Sequence, residues 1–283
     1  MSQWRSIFAR GGTKLLSLKR YMTSAISPPV GPMSKQAPPC QVCGGPTEWL
    51  DALDFNRSCE EARGRFLPRS GVLVAYAMCS NCGFCFAPQI CAWSPEEFER
   101  WIYNDAYVDV DPDYLGARPR SNADMLAQTF PRGQVVRHLD YGGGNGLLAS
   151  ILRGRGWDSI SYDPFSERDK SPESLGQFGL VTAFEVFEHV PDVNALMRDL
   201  ERLRAPDGLV LFSTVVSDGE VLANRALGWW YAAPRNGHIS LFSQKSLGVI
   251  ANRLSLNLVS FSSGLHALFG SIPSWSSHLI HIA

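Results

Sequence analysis

The sequence predicts an α/β protein in which a doubly wound sheet is preceded by a small cysteine-rich module. Three observations carry that expectation. Residues 135–146 read VVRHLDYGGGNG and run into Leu147-Leu148-Ala149-Ser150-Ile151-Leu152. A short apolar strand, a glycine turn and a helix start, in that order, make the device with which α/β proteins cradle nucleotides. Beyond residue 134, strand-like and helix-like stretches alternate, the mark of a parallel sheet. All seven cysteines lie between residues 40 and 91, and four of them form two C-x-x-C pairs.

Composition bounds the answer. A chain of 283 residues holds one large domain, or one domain and a small module. With 45% hydrophobic and 19% charged residues it has the make-up of an ordinary globular protein. A formal net charge of −1 supplies no field for nucleic acid or an anionic membrane. No apolar run reaches the 18 or so residues that a membrane-spanning helix needs. An odd number of cysteines in C-x-x-C pairs suits a metal site in a reducing compartment better than a disulfide framework, so a cytoplasmic location is expected.

Residues 1–39 carry Arg5, Arg10, Lys14, Lys19, Arg20 and Lys35, no acid, and several prolines from Pro28 to Pro39. They read as a disordered basic tail, as a transit-type segment, or as residues upstream of a natural start at Met22 or Met33.

Residues 40–92 form the module. Cys40-x-x-Cys43 and Cys79-x-x-Cys82 are each followed by a glycine, Gly44 and Gly83. Zinc takes four ligands in a tetrahedron, and each C-x-x-C turn offers two thiolates from one tight loop. A site filled by four sulfurs is closed to substrate, so the expected zinc is structural. Cys59, Cys85 and Cys91 are expected to be small core residues.

Residues 93–133 read as a helical linker or cap. Ser94 is placed to cap a helix with Pro95 in its first position. Irregular chain with Tyr103, Tyr107, Asp111, Tyr114, Arg118 and Arg120 follows, either as a plain linker or as a cover over a ligand.

Residues 134–283 form the sheet domain. Strands are expected near 135–140, 159–163, 180–185, 208–215, 256–262 and 265–269. Helices are expected near 146–155, 192–204 and 243–254. Pro206-Asp207-Gly208 reads as a turn before the fourth of these strands.

The chemistry follows from two strand ends. Asp140-Tyr141-Gly142-Gly143-Gly144-Asn145-Gly146 has the spacing D-x-G-x-G-x-G, and Asp163 stands 23 residues after Asp140. An acid at the tip of the second strand can accept hydrogen bonds from both hydroxyls of a ribose. Glycine turn and ribose acid together make a nucleoside site. An acid ending the first strand suits a cationic amino-acid ligand better than a pyrophosphate.

This set of motifs resembles the class I S-adenosylmethionine-dependent methyltransferases. LDYGGGNG is similar to their first motif, Asp163 to their ribose acid, and FEVFEHVPD to the segment after their fourth strand. PDGLVLFSTV resembles their fifth strand, GHISLFSQKSL the stretch that introduces a late helix, and the C-x-x-C pairs a zinc module that precedes this domain in one bacterial subgroup. The resemblance covers roughly residues 40–270. It implies a Rossmann-like methyltransferase domain that binds S-adenosylmethionine and methylates an O, N or C nucleophile of a small molecule or sugar derivative. Gly142, Gly144 and Gly146 would line the methionine and ribose, Asp140 would sit near the amino group, Asp163 would hold the ribose, and Glu185 would lie where the fourth strand opens to the site.

Two departures accompany the resemblance. About fifteen residues separate Asp163 from the strand near 180, too few for a helix, a third strand and their loops, so this part is expected to be reduced. Val186 occupies the position where sugar C-methyltransferases carry a tyrosine.

Oxygen and carbon nucleophiles usually need a base, and His189 and His238 are the candidates because histidine titrates near neutral pH. For His189 a structural role in the loop competes with this. The stretch Trp229 to His238 reads either as the lining of a site or as a packed aromatic cluster, with Arg235 set to meet an anion. The rival functions are a nicotinamide-dependent oxidoreductase and a non-catalytic, zinc-containing binding protein. Between the cysteine pairs arginines alternate with acids, which gives no basic stripe for nucleic acid. Oligomeric state is not legible.

Overall fold

The protein is described by a computed structural model over residues 27–130, 136–221 and 227–279. Most of the basic tail and Val135, the first residue of the strand expected near 135–140, lie outside these described residues. In chain order the elements are β1 (Thr47–Asp54), β2 (Leu73–Cys79), β3 (Cys85–Phe86), α1 (Pro88–Cys91), α2 (Pro95–Trp101), α3 (Tyr107–Val110) and α4 (Ala117–Thr129). They continue with β4 (His138–Tyr141), α5 (Leu147–Gly154), β5 (Ser159–Tyr162), β6 (Phe178–Phe184), α6 (Val193–Leu203) and β7 (Arg204–Ser213). The chain ends with β8 (Ser240–Leu241), α7 (Gln244–Arg253), β9 (Asn257–Ser260) and β10 (Leu265–Phe269).

Six strands form the main sheet in the order β5-β4-β6-β7-β10-β9. The first four run parallel, and β10 is antiparallel to both β7 and β9. Helices cover the faces because their apolar residues recur every three or four positions. In α6, Val193, Leu196, Met197, Leu200 and Leu203 are all buried, and Asp192 caps the helix by accepting from the amides of Asn194 and Ala195. The C-terminal ends of β4, β5 and β6 come side by side, and these are the ends at which open α/β sheets bind ligands.

Two local expectations need adjusting, and a third holds. Residues 117–129 form the helix α4 where irregular chain was expected. Pro119 lies in its first turn, where no backbone N–H is required, and Ala123 and Leu126 are buried against the sheet domain. Strand β7 starts at Arg204, because Arg204 still pairs with Phe178 before the register shifts to Leu209 opposite Leu180. Pro206-Asp207-Gly208 is therefore an excursion within the strand, with Pro206 and Asp207 exposed. Between β5 and β6, as the spacing implied, there is only a short 3-10 turn at Pro172–Leu175, and β5 is an edge strand.

A second, antiparallel sheet has the order β1-β2-β3-β8. Its last strand comes from residues after β7: Ser240 pairs with Phe86 and Leu241 with Cys85. The two parts share apolar packing too. Val74, Tyr76, Ile90, Trp93 and Phe98 pack in one buried cluster with Leu227, Trp229, Tyr231, Ile239 and Leu241. From Ser27 onward the tail lies along the module: the Trp93 indole donates to Pro29 O at 3.3 Å and that of Trp49 to Ser34 O at 3.1 Å.

Candidate active site

The glycine turn leaves β4 between two side chains that leave no room for a third. Gly142 has φ of +71°, and a Cβ there would meet Val186 Cγ2 at 2.5 Å. A Cβ on Gly143 would meet Asp140 Oδ2 at 2.5 Å. Above Gly144, by contrast, the space is open. Asp140 is 4% exposed and accepts from Thr182 Oγ1 at 3.0 Å. Burial pushes its carboxyl up to about 7, with the nearby charge of Asp163 adding to the rise.

Asp163 stands beside this turn at the end of β5. Its Oδ2 accepts from Gly144 N at 3.0 Å, and its Oδ1 accepts from Phe165 N at 2.8 Å. Gly146 precedes α5, whose first amides have no partners within the helix. Asn145 Nδ2 donates to Leu115 O at 3.1 Å, tying the turn to the segment ahead of α4. Asp140, Gly142, Gly144, Gly146 and Asp163 therefore converge, with nothing within 4 Å of where a Cβ on Gly144 would lie.

The second half of the site is built from the end of β6 and the chain after β7. Glu185 is not a glycine, yet its φ is +54°, a conformation that costs on the order of 1–3 kcal/mol. A reciprocal pair holds it there: Glu185 N donates to Ser213 Oγ, and that hydroxyl donates to Glu185 Oε1, both at 2.8 Å. Residues Phe187–His189 then make one 3-10 turn, anchored where Phe187 stacks on Phe212 with ring centroids 4.1 Å apart.

That turn brings His189 to His238, their ring centroids 4.9 Å apart. His238 Nδ1 lies 2.8 Å from Tyr231 O, and a carbonyl only accepts, so Nδ1 carries the proton and Nε2 keeps its lone pair. Glu188 is fully buried, with Oε1 accepting from the Tyr231 hydroxyl at 2.5 Å and Oε2 without a well-aligned hydrogen bond. His189 Nδ1 is also buried without a well-aligned hydrogen bond. Burial holds both imidazoles neutral, His189 down at about 4 with Arg118 contributing and His238 at about 3. Burial, reinforced by Glu185, raises the Glu188 carboxyl well above its usual range.

Ligand atoms of Glu188, His189 and His238 lie within 4.8 Å of one another. The set can serve as neutral base and acid, or as ligands of a divalent cation. Glu188 was not singled out as a site residue from the sequence; its adjacency to His189 in FEVFEH was the available signal. Tyr103, from the stretch read as either a linker or a cover over a ligand, packs its ring edge-on against both Phe165 and His189. Arg235, expected to face an anion, is buried and donates to Ile102 O at 2.9 Å, which ties the loop to the end of α2. Arg118 is instead the guanidinium near the site, in a two-bond pair with Asp111 at 2.8 and 2.9 Å.

The four C-x-x-C cysteines also converge. Cys40 Sγ is 3.6 Å from Cys82 Sγ and Cys43 Sγ is 3.4 Å from Cys79 Sγ, with all four sulfurs within 4.8 Å of one another. Zinc–sulfur bonds of about 2.3 Å set the edge of a tetrahedron at about 3.8 Å, so the sulfurs fit a closed zinc site. Gly44 N donates back to Cys40 O and Gly83 N to Cys79 O, closing both knuckles.

Residues 114–260 match the family model described as a methyltransferase domain. The chain is 31% identical over 142 residues to a ubiquinone biosynthesis O-methyltransferase of Xanthomonas oryzae pv. oryzae, an overlap of 47% of this chain and 58% of that one. It is 33% identical over 84 residues to the protein of the same name from Pseudomonas syringae pv. tomato, covering 30% of this chain and 36% of that one. The chain thus spans roughly a third to just over half of the relatives it matches. A solved Burkholderia thailandensis 1,6-didemethyltoxoflavin-N1-methyltransferase is 16% identical, with a TM-score of 0.43 over 72% of this chain and 96% of that one.

Proposed function

The chain belongs to the methyltransferase-domain family, and from that premise we propose that it binds S-adenosylmethionine and methylates a small-molecule nucleophile. The observation that carries the cofactor is Asp163 against Gly144 N at 3.0 Å, beside the open space over the turn. In this reading Asp163 exchanges that amide for the ribose hydroxyls. Asp140 lies beneath the turn, where a cationic amino group would draw its carboxyl into the ionised form. Gly142, Gly144 and Gly146 leave the backbone free to approach the ligand.

The sulfonium supplies an already activated methyl, so the protein's task is alignment and removal of a proton from the acceptor. His189 and His238, held neutral by burial, are the bases of this reading, and Glu185 orients the strand end that carries His189. The relatives' name concerns an O-methyl transfer, and a hydroxyl acceptor suits a neutral imidazole. Cys40, Cys43, Cys79 and Cys82 hold a structural zinc.

One observation favours an addition: Glu188 Oε2 and His189 Nδ1 are buried without a well-aligned hydrogen bond, with only the Thr214 hydroxyl and the Gly237 backbone in reach, a costly arrangement for buried polar atoms. A divalent cation held by Glu188, His189 and His238 would satisfy them, and would lower the pKa of an acceptor hydroxyl. Wild-type protein is expected to bind Mn2+ by electron paramagnetic resonance, with at least tenfold weaker binding in Glu188→Gln. No binding by the wild type removes the cation and leaves the histidines as bases.

The cofactor is tested by calorimetric titration of S-adenosylhomocysteine. Saturable binding that weakens at least tenfold in Asp163→Ala, with unfolding temperature within a few degrees of wild type, is the expected result. Equal affinity in the variant sinks the ribose assignment.

A further inference from the structure

The chain between 227 and 239 delivers His238 to His189, yet most of its polar tethers lead to the cysteine module. Arg57, from the turn after β1, places its guanidinium against three successive carbonyls. Its Nη1 donates to Leu227 O at 2.7 Å, and its Nη2 donates to Gly228 O at 2.9 Å and Trp229 O at 3.0 Å. Arg57 O accepts from Arg235 N at 3.1 Å. Asp51, in β1, accepts from Leu227 N at 2.6 Å, and Cys59 N donates to Asn236 Oδ1 at 2.8 Å. From β2, the buried Tyr76 hydroxyl donates to the carbonyl of His238 itself at 2.8 Å.

Tyr76 lies on the hairpin that the cysteines close, and Asp51, Arg57 and Cys59 lie on β1 and the turn after it, which the β1–β2 pairing holds against that hairpin. Cys79 ends β2, Cys82 sits in the turn, and β3 follows at Cys85, so closing the four-sulfur site fixes the β2–β3 hairpin. The hairpin carries Tyr76 and pairs with β8 immediately after His238. The Cys82 carbonyl also accepts from Ser243 Oγ at 2.5 Å, which caps α7. A free loop of this length would visit many conformations, and three carbonyls gripped by one planar guanidinium remove that freedom at its start.

We propose that the cysteine module is a positioning device for the acceptor end of the site, with Arg57 as its central residue. Arg57 sets the 227–238 segment so that Tyr231 O fixes the Nδ1–H tautomer of His238 and turns Nε2 toward His189 and Glu188. The cofactor cradle at 140–163 receives no tether from Arg57. The proposal rests on the methyltransferase reading only for the statement that His238 faces an acceptor.

The test uses the full zinc-loaded chain as wild type, Arg57→Ala, Arg57→Lys and, as a control, Arg69→Ala at an exposed site of the same module. Hydrogen exchange is read at residues 227–241 and at 138–163, the His238 tautomer by ring-nitrogen NMR, and the cradle by S-adenosylhomocysteine titration. In Arg57→Ala the amides of 227–241 are expected to exchange at least tenfold faster and the His238 ring to lose its single tautomer. Protection at 138–163 and S-adenosylhomocysteine affinity should stay within twofold of wild type. Arg57→Lys, with one ammonium for three carbonyls, should fall between, and Arg69→Ala should match wild type. Unchanged exchange at 227–241 overturns the proposal. So does equal acceleration in both regions, which would mark Arg57 as a general stabiliser. A wild type that fails to bind S-adenosylhomocysteine counts against the cofactor and leaves the loop result standing.

Discussion

At the scale of single residues, burial holds Asp140, Glu188, His189 and His238 toward their neutral forms. Asp140 offers the cleanest consequence. Its carboxyl titrates near 7 in the folded protein against an ordinary 3.8, because burial disfavours the charge. Below about pH 4 the acid is protonated whether the chain is folded or not. Between there and pH 7 the unfolded chain ionises and the folded one does not, so this residue subtracts stability as pH rises, by up to roughly 1.4 kcal/mol per pH unit. Asp140→Asn lacks the term. Urea unfolding of the ligand-free proteins should therefore show the variant gaining on wild type from pH 4 to 7, with the gap level above 7. A gap that does not vary with pH removes the perturbed carboxyl. Legibility at this scale was uneven. Asp140 and Asp163 could be found because a glycine turn and a strand tip fix where they must lie. Glu188 could not be separated from Glu185 without the left-handed backbone of Glu185, which turns the following residues inward.

At the scale of elements, local sequence signals did well where they were strong. Ser94 caps α2 and Pro95 occupies its first turn, as expected, and Glu97 adds the reciprocal half of the cap, which the sequence reading had not assigned. The glycine turn, α6 and α7 lie within a residue or two of their expected bounds. The signal failed in α4, where Pro119 and flanking arginines masked a helix whose stability comes from packing on α5. The proposed zinc belongs to this scale as well, since four thiolates on one ion would stabilise the hairpin rather than any one thiol. Cys79→Ser is expected to lose the equivalent of zinc measured by elemental analysis in freshly reduced wild type, and to lower the unfolding midpoint. Reduced wild-type protein without zinc would end the structural-metal reading.

At the scale of the whole molecule, what the sequence could not show was mutual dependence. The cysteine pairs and the glycine turn each announce themselves within a short window. Nothing local tells that β3 takes its second partner from residues some 155 positions further on, because strand pairing at that separation leaves no pattern in either segment. The same blind spot covered Arg57, one of several arginines between the cysteine pairs and the one that grips carbonyls at 227–229.

The late arrival of β8 also bears on how the chain is made. Synthesis runs from the N-terminus, so the cysteine hairpin emerges and can take up metal long before Ser240 and Leu241 exist. Until then β3 has a bare edge and Tyr76, Ile90 and Trp93 lack the residues that cover them. Closing β3 with β8 joins residues some 155 positions apart, and the entropy of closing that loop opposes the pairing. Such an architecture resists modular inheritance: neither part can be traded for a relative's copy unless the strand, the arginine and the loop travel together.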